Sequence, residues 1–167
     1  MGWYVGVAGN VASPRNEQGG DGAMSVHGYS RTPLIRKLGL KAGMRVRLLN
    51  PPPRYWDRLG GSAASLEVQR VTPLGRERAD FTHLFATTPA ALERYFSLAR
   101  RRMAERGVVW ASWPKQRAGT LSAIARDDVM RIGKRVGLVD VKVCAVDEIW
   151  SALKFVIPLA KRSSVDR

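Results

Sequence analysis

Three features of the 167-residue sequence predict an α/β fold: a three-layer arrangement whose sheet is mostly parallel and closes on an antiparallel hairpin. Helical periods alternate with short apolar strand patterns along the chain, the arrangement expected of crossover units. The stretch Gly43 to Pro53, G-M-R-V-R-L-L-N-P-P-P, reads as the first strand of a parallel sheet. Near the other end, two strand patterns, Leu138 to Val146 and Trp150 to Ile157, are separated only by Asp147-Glu148-Ile149. So short a link joins antiparallel neighbours.

Length and composition bound the organisation. With 45% hydrophobic residues, the chain suits one domain with a real core and is short for two. Residues 1–23 are glycine-rich and lack either hydrophobic period, so they are expected to form a flexible tail, with Met24 as an alternative start. The domain itself is expected over 24–160, followed by a basic C-terminal tail over 161–167.

Thr32-Pro33 then has the form of an N-cap followed by proline at the first helical position, with Leu34, Ile35 and Leu38 inward and Gly39 as the stop. A strand follows over Met44 to Asn50. Within Pro51 to Gly61, Tyr55, Trp56 and Leu59 are spaced to pack one helical turn. Leu66 to Val71 alternates as an edge strand does, and Asp80 to Thr87 forms a third strand. Thr88-Pro89 opens the clearest helix, expected from Pro89 to Arg106, with Leu92, Tyr95, Phe96, Ala99 and Met103 on one side and Gly107 as its stop. Val108 to Trp113 is the fourth strand, and Asp127 to Val136 a basic helix ended by Gly137. The stretch Thr72 to Ala79 is too short for a helical crossover, but as extended chain it spans about 25 Å.

This order, ending in an antiparallel hairpin, resembles a reduced Rossmann-like sheet of the class I methyltransferase type from which one αβ unit has been lost. A closer resemblance rests on G-Y-S-R-T-P-L-I-R-K-L-G-L at 28–40, L-L-N-P at 48–51, H-L-F-A-T at 83–87, W-A-S-W-P-K at 110–115 and G-L-V-D-V-K-V-C-A-V-D-E-I-W-S-A-L-K at 137–154. On these residues the chain is similar to the bacterial family known as domain of unknown function 3052. That resemblance implies a small intracellular domain and brings no established activity with it.

Charge and residue counts narrow the chemistry. Lys and Arg number 28 against 14 Asp and Glu, a net charge of +14, which raises an RNA or other polyanion partner. The basic residues are mostly scattered arginines, so arginine-rich composition accounts for the charge equally well. A protein partner stays open. One cysteine excludes an internal disulfide framework and a cysteine-cluster metal site, and two histidines argue against a multi-histidine one. No apolar run reaches the roughly 18 to 20 residues that span a bilayer, and the N-terminus lacks the basic region of a signal peptide, so a cytoplasmic protein is expected.

Ligands of open α/β sheets collect at the carboxyl ends of the strands. That rule selects Asn50, Pro51, Thr87, Ser112, Trp113, Pro114 and Lys115 as candidate ligand-binding residues. Trp113 offers a stacking surface, Pro114 a rigid turn and Lys115 an ammonium for an anion; the alternative is that the tryptophans pack under helices. Asn50-Pro51-Pro52 resembles the (Asp/Asn)-Pro-Pro-aromatic motif of amino-group methyltransferases, yet it follows the first strand and Pro53-Arg54 delays the aromatic. A turn capped by the asparagine side chain is the plainer reading. A secondary set is Asp147, Glu148, Trp150 and Lys154, where paired carboxylates serve either as acid and base or as a solvated turn. Cys144 and His83 alternate into the core as buried residues.

No glycine motif follows the first strand, and proline has neither an N–H to donate nor the freedom for a glycine-type turn. The function expected first is therefore a non-catalytic binding or regulatory module on a degenerate methyltransferase-like scaffold. Two alternatives stand beside it: an S-adenosylmethionine-dependent methyltransferase with an atypical cofactor site, and a basic RNA- or ribosome-associated protein.

Overall fold

A computed structural model describes residues 32–59, 66–116 and 122–163; the expected tail over 1–23 lies outside them, as do residues 164–167. Helix α1 (Leu34–Leu38) buries Ile35 and Leu38 and stops at Gly39, whose left-handed backbone (φ 75°) is one that side chains rarely adopt. Pro33 rather than Thr32 occupies the cap, because its extended ψ of 142° starts the helix one residue later. Strand β1 (Arg45–Leu49) leads to the single turn α2 (Tyr55–Arg58), which buries Tyr55 as its spacing implies. Strand β2 shrinks to Gln69–Arg70, both exposed, at one edge of the sheet.

Strand β3 (Ala79–Phe85) and helix α3 (Pro89–Arg101) meet at Thr88, whose hydroxyl accepts from the Ala91 amide at 3.3 Å. The helix ends five residues earlier than the sequence suggests, and β4 (Met103–Pro114) begins at Met103. Gly107 is therefore not a helix stop. It lies in β4, where pairing with β3 jumps from Ala79↔Met103 to Phe81↔Val108 and leaves a bulge. A Cβ at Gly107 would lie 3.0 Å from the Ala79 carbonyl oxygen, so glycine marks a close backbone approach. Helix α4 (Arg126–Arg135), β5 (Val139–Ala145), β6 (Trp150–Val156) and a 3₁₀ turn (Leu159–Lys161) complete the described chain.

The strand order is β2-β1-β3-β4-β6-β5. Strands β2, β1, β3 and β4 are mutually parallel, and β6 runs against both β4 and β5. The expected hairpin is thus present, with its second strand inside the sheet. Alternation of side chains sorts the core into two layers. On one face Val46, Leu48, Phe81, Phe85 and Trp110 pack with α1 and α2, and the Trp110 indole donates to the Leu38 carbonyl at 2.9 Å. On the other, Leu84, Val109, Ala111, Leu153 and Phe155 pack with Leu92 and Phe96 of α3 and Val129 and Ile132 of α4. Helix α4 comes so close that a Cβ at Gly133 would meet the Phe155 ring at 2.3 Å.

The crossover from β2 to β3 contains neither helix nor strand, as expected where an αβ unit is lost. What holds it is Arg47, a β1 residue with 0% exposure. Its Nε donates to the Thr72 carbonyl at 3.2 Å, and its Nη2 to those of Gly75 at 3.2 Å and Glu77 at 2.7 Å. Nη1 reaches the Arg102 carbonyl beyond α3 at 3.4 Å. Burial holds the guanidinium below its ordinary pKa, and the charge of Glu77 opposes that shift. The crossover is not the fully extended chain expected: it bends in a turn closed by the Gly75 amide on the Thr72 carbonyl at 3.2 Å. With no helix or ladder of its own, it relies on a five-donor planar side chain for further partners to its carbonyls. Replacing Arg47 with Met is expected to cost about 3 kcal/mol or more in guanidinium unfolding, because several carbonyls lose their donor together. A Met variant of unchanged stability would show that the crossover holds itself.

Candidate functional site

The carboxyl edge of the parallel strands gathers most of the residues selected from sequence, but divides them. At the end of β1, Asn50 adopts a left-handed backbone (φ 52°), and its Nδ2 donates to the Phe85 carbonyl at 3.1 Å, tying the β1 exit to that of β3. Asparagine tolerates this conformation better than other residues with a side chain. A turn at Asn50 is thus present as expected, but the asparagine side chain bonds across to β3 and does not cap the turn. Arg54 is also left-handed (φ 57°) and caps α2, its Nε paired with Asp57 at 2.9 Å.

Beside Asn50 lies a cleft of about 370 Å³. Leu49 and Asn50 form its floor, Pro73 and Leu74 of the crossover one wall, and Arg94, Tyr95 and Leu98 of α3 the other. Leu74 is 79% exposed, an apolar side chain at the rim. The Arg94 guanidinium stands 5.0 Å from the Tyr95 ring centroid and its Nη2 donates to the Tyr95 hydroxyl at 3.2 Å, giving this wall a positive, aromatic character. Sequence reasoning did not select these crossover and helix residues; the signal available was the short crossover, which leaves one flank of α3 without a covering helix.

Trp113 and Lys115 lie elsewhere, lining a second cavity of about 340 Å³ with Ile124, Arg126 and Ser151. Trp113 itself is buried, and the Lys115 ammonium donates to the Asp147 carbonyl at 2.6 Å. Pro114 pairs with Trp150 in the β4–β6 ladder, and the Trp150 ring meets Phe85 edge-on at 5.2 Å. Asp147 organises the hairpin turn: its Oδ1 accepts from the amides of Ile149 and Trp150 at 2.7 Å, and its Oδ2 pairs with Arg58 of α2 at 2.6 Å. Glu148, Thr87 and Pro51 are exposed. Lys154 is at the opposite edge of the sheet, beside the start of β1.

Ser112 faces inward. It closes a buried relay in which the Tyr55 hydroxyl meets His83 Nδ1 at 2.5 Å and His83 Nε2 meets Ser112 Oγ at 2.7 Å. His83 is 0% exposed and stacks on Phe85 at 4.3 Å, while Tyr55 lies edge-on to both rings. Burial lowers the His83 pKa to about 3 and raises that of Tyr55 above its ordinary value, so the imidazole is neutral and the phenol protonated. A neutral imidazole donates at one nitrogen and accepts at the other, so both its partners are satisfied. The relay pins α2, and the Asn50-to-Arg54 loop before it, to the middle of the sheet. Cys144 is buried on the same face, and burial pushes its thiol up, away from thiolate chemistry.

Among solved structures this fold is that of class I methyltransferases. A S-adenosylmethionine-dependent methyltransferase from Aquifex aeolicus is similar with a TM-score of 0.54 and 14% identity, over 75% of this chain and 88% of that one. The glycopeptide N-methyltransferase MtfA gives 0.51 and 11%, over 75% and 91% respectively. At such identities the likeness is one of fold. No family model matches the chain, and no curated protein matches it.

The Asn50 cleft combines apolar, aromatic and polar side chains. Leu49, Pro73, Leu74 and Leu98 offer apolar contact, Tyr95 an aromatic surface, Arg94 a cation for a carboxylate, and Asn50 a polar amide. It departs from glycine-cradle binding in having prolines after Asn50 and no acid after β2, where Val71, Thr72 and Pro73 stand. Among the described residues no group of His, Cys, Asp and Glu is arranged to hold a metal ion, and no helix is long and apolar enough to cross a membrane.

The relay gives this edge a pH dependence. As pH falls through about 6.5 the histidine of the unfolded chain takes up a proton, while native His83 refuses one until about pH 3. Stability should therefore fall on acidification by about 1.4 kcal/mol per pH unit between pH 6 and 4.5. Carboxylates held low in the native state, such as Asp80, act below that window. Denaturant unfolding of wild type and His83→Asn checks this, the slope being absent from the variant.

Proposed function

We propose that this chain binds an adenosyl ligand of the S-adenosylmethionine type in the cleft beside Asn50 and acts as a methyltransferase with an atypical cofactor site. The observation that carries the proposal is the left-handed Asn50 at the carboxyl end of β1, facing the cleft. It makes, with a side chain, the turn that glycine makes in nucleotide-binding sheets, and a strained residue held at a strand end is a mark of binding sites. The methyltransferase fold supports the same reading. Asn50 would orient the polar end of the ligand, Arg94 would pair with its carboxylate, and Leu49, Leu74 and Tyr95 would exclude water from the adenosyl part. When bound, S-adenosylmethionine supplies an electrophilic methyl group.

A second reading, a non-catalytic binding or regulatory module, is favoured by the composition of the cleft. Among the described residues its lining contains no carboxylate, histidine or thiol to serve as acid, base or nucleophile. On that reading the ligand is a signal, bound and not turned over.

Thermal melts of the chain with S-adenosylmethionine, and separately with its demethylated product, test the proposal. Ligand at about 100 times Kd adds about 2.7 kcal/mol, a shift of several degrees for a domain of this size. Asn50→Gly keeps the turn but removes the amide, and is expected to weaken binding about threefold to tenfold. Leu74→Arg, at an exposed position, places a charge in the cleft and should abolish the shift without lowering the melting point of the free protein. Absence of any shift in the wild type would retire the cofactor.

A further inference from the structure

We propose that the amino-terminal edge of the sheet carries a phosphate-binding site formed by Lys41, Arg106 and Lys154. These residues line a cavity of about 560 Å³ opposite the Asn50 cleft, so the inference stands independently of the cofactor. They arrive from three separate places: Lys41 from the turn between α1 and β1, Arg106 from the β4 bulge, and Lys154 from β6. The bulge at Gly107 thus acquires a purpose, since the extra residues of β4 bring Arg106 to the cavity.

The arrangement is electrostatically unfavourable as it stands. Lys142 of β5 lies directly opposite Lys154 in the β5–β6 ladder, and like charges across a ladder destabilise it. Burial, then the charges of Lys142 and Lys41, hold the Lys154 ammonium below its ordinary pKa. Among the described residues no carboxylate pairs with Lys41, Arg106, Lys142 or Lys154. Among the described residues the one acid in the lining, Asp80, is held by Arg45: its Oδ1 accepts from Nη2 at 2.9 Å, and its Oδ2 from Nε at 3.0 Å and the Arg45 amide at 2.9 Å. Together Asp80 and Arg45 add no net charge. Glu105, next to Arg106 in sequence, is turned toward the Ser163 amide at 2.8 Å.

Several cations converging on a concavity, with the local acid already neutralised, form a focus of positive potential that a multiply charged oxyanion would relieve. A phosphate matches it in charge and in acceptor number. The phosphate belongs either to a small phosphorylated molecule or to a nucleic-acid backbone, and the chemistry of recognition is common to both.

The test is a titration of the full chain with inorganic pyrophosphate, followed by thermal melting at constant ionic strength. Pyrophosphate is expected to raise the melting point beyond what sodium chloride of matched ionic strength does. Lys154→Gln and Lys41→Gln should each weaken the response about tenfold, the loss expected for one charged hydrogen bond. Lys154→Gln should at the same time melt higher than wild type when no anion is present, since it removes the cross-strand repulsion; this separates a lost site from a lost fold. A response equal to that of sodium chloride, or one unchanged in both variants, would overturn the proposal. Single-stranded RNA that competes with pyrophosphate and loses binding in the same variants would assign the phosphate to a nucleic-acid backbone. A pyrophosphate response without RNA binding would assign it to a small molecule.

Discussion

A buried guanidinium on the third residue of β1 holds together a parallel pairing that lacks the usual means of support. Parallel strands are normally joined through a helix, which packs on the sheet and satisfies its own backbone. Between β2 and β3 the chain instead passes through a single turn with neither helix nor strand, and Arg47 offers hydrogen bonds to Thr72, Gly75 and Glu77 along it and to Arg102 beyond α3. One side chain on the first strand therefore fixes the crossover, the end of α3 and the wall of the Asn50 cleft. Pro73 and Leu74 of that crossover face Arg94, Tyr95 and Leu98 of α3 across the cleft.

The fold was legible because its signals are local. The Thr88-Pro89 start, the spacing of Leu92, Phe96 and Ala99, and the three-residue link before Trp150 each depend on neighbours in sequence. Errors arose where two meanings share one residue type. Gly107 reads as a helix stop, and it is where β4 passes too close to β3 for a Cβ. Met103 continues the helical period, and it is a strand residue buried by tertiary packing. Nothing local separates these cases.

The site was legible only in part. The strand-end rule found Asn50 and Lys115 but could not tell which side chains share a cavity; Asn50 lines one and Trp113 and Lys115 another. Ser112 alternates to the inner face, where His83 takes its hydroxyl, and that pairing joins residues 29 apart in sequence. The left-handed backbone at Asn50 is a tertiary outcome too. Its side-chain amide bonds the Phe85 carbonyl, 35 residues on, a partner that no neighbour in sequence announces.

The two edges of the sheet are unequal. Strand β2 presents only two residues, with Arg70 folded over Trp56 at 4.2 Å. Strand β5 presents seven, including Val141 and Val143, each more than half exposed on either side of Lys142. An open edge of that length is a template on which another chain can add a strand, and a lysine in its middle is a common safeguard against such aggregation. Lys142 thus opposes strand addition along the margin whose side chains would otherwise favour it, and the same charge sets it against Lys154 across the ladder.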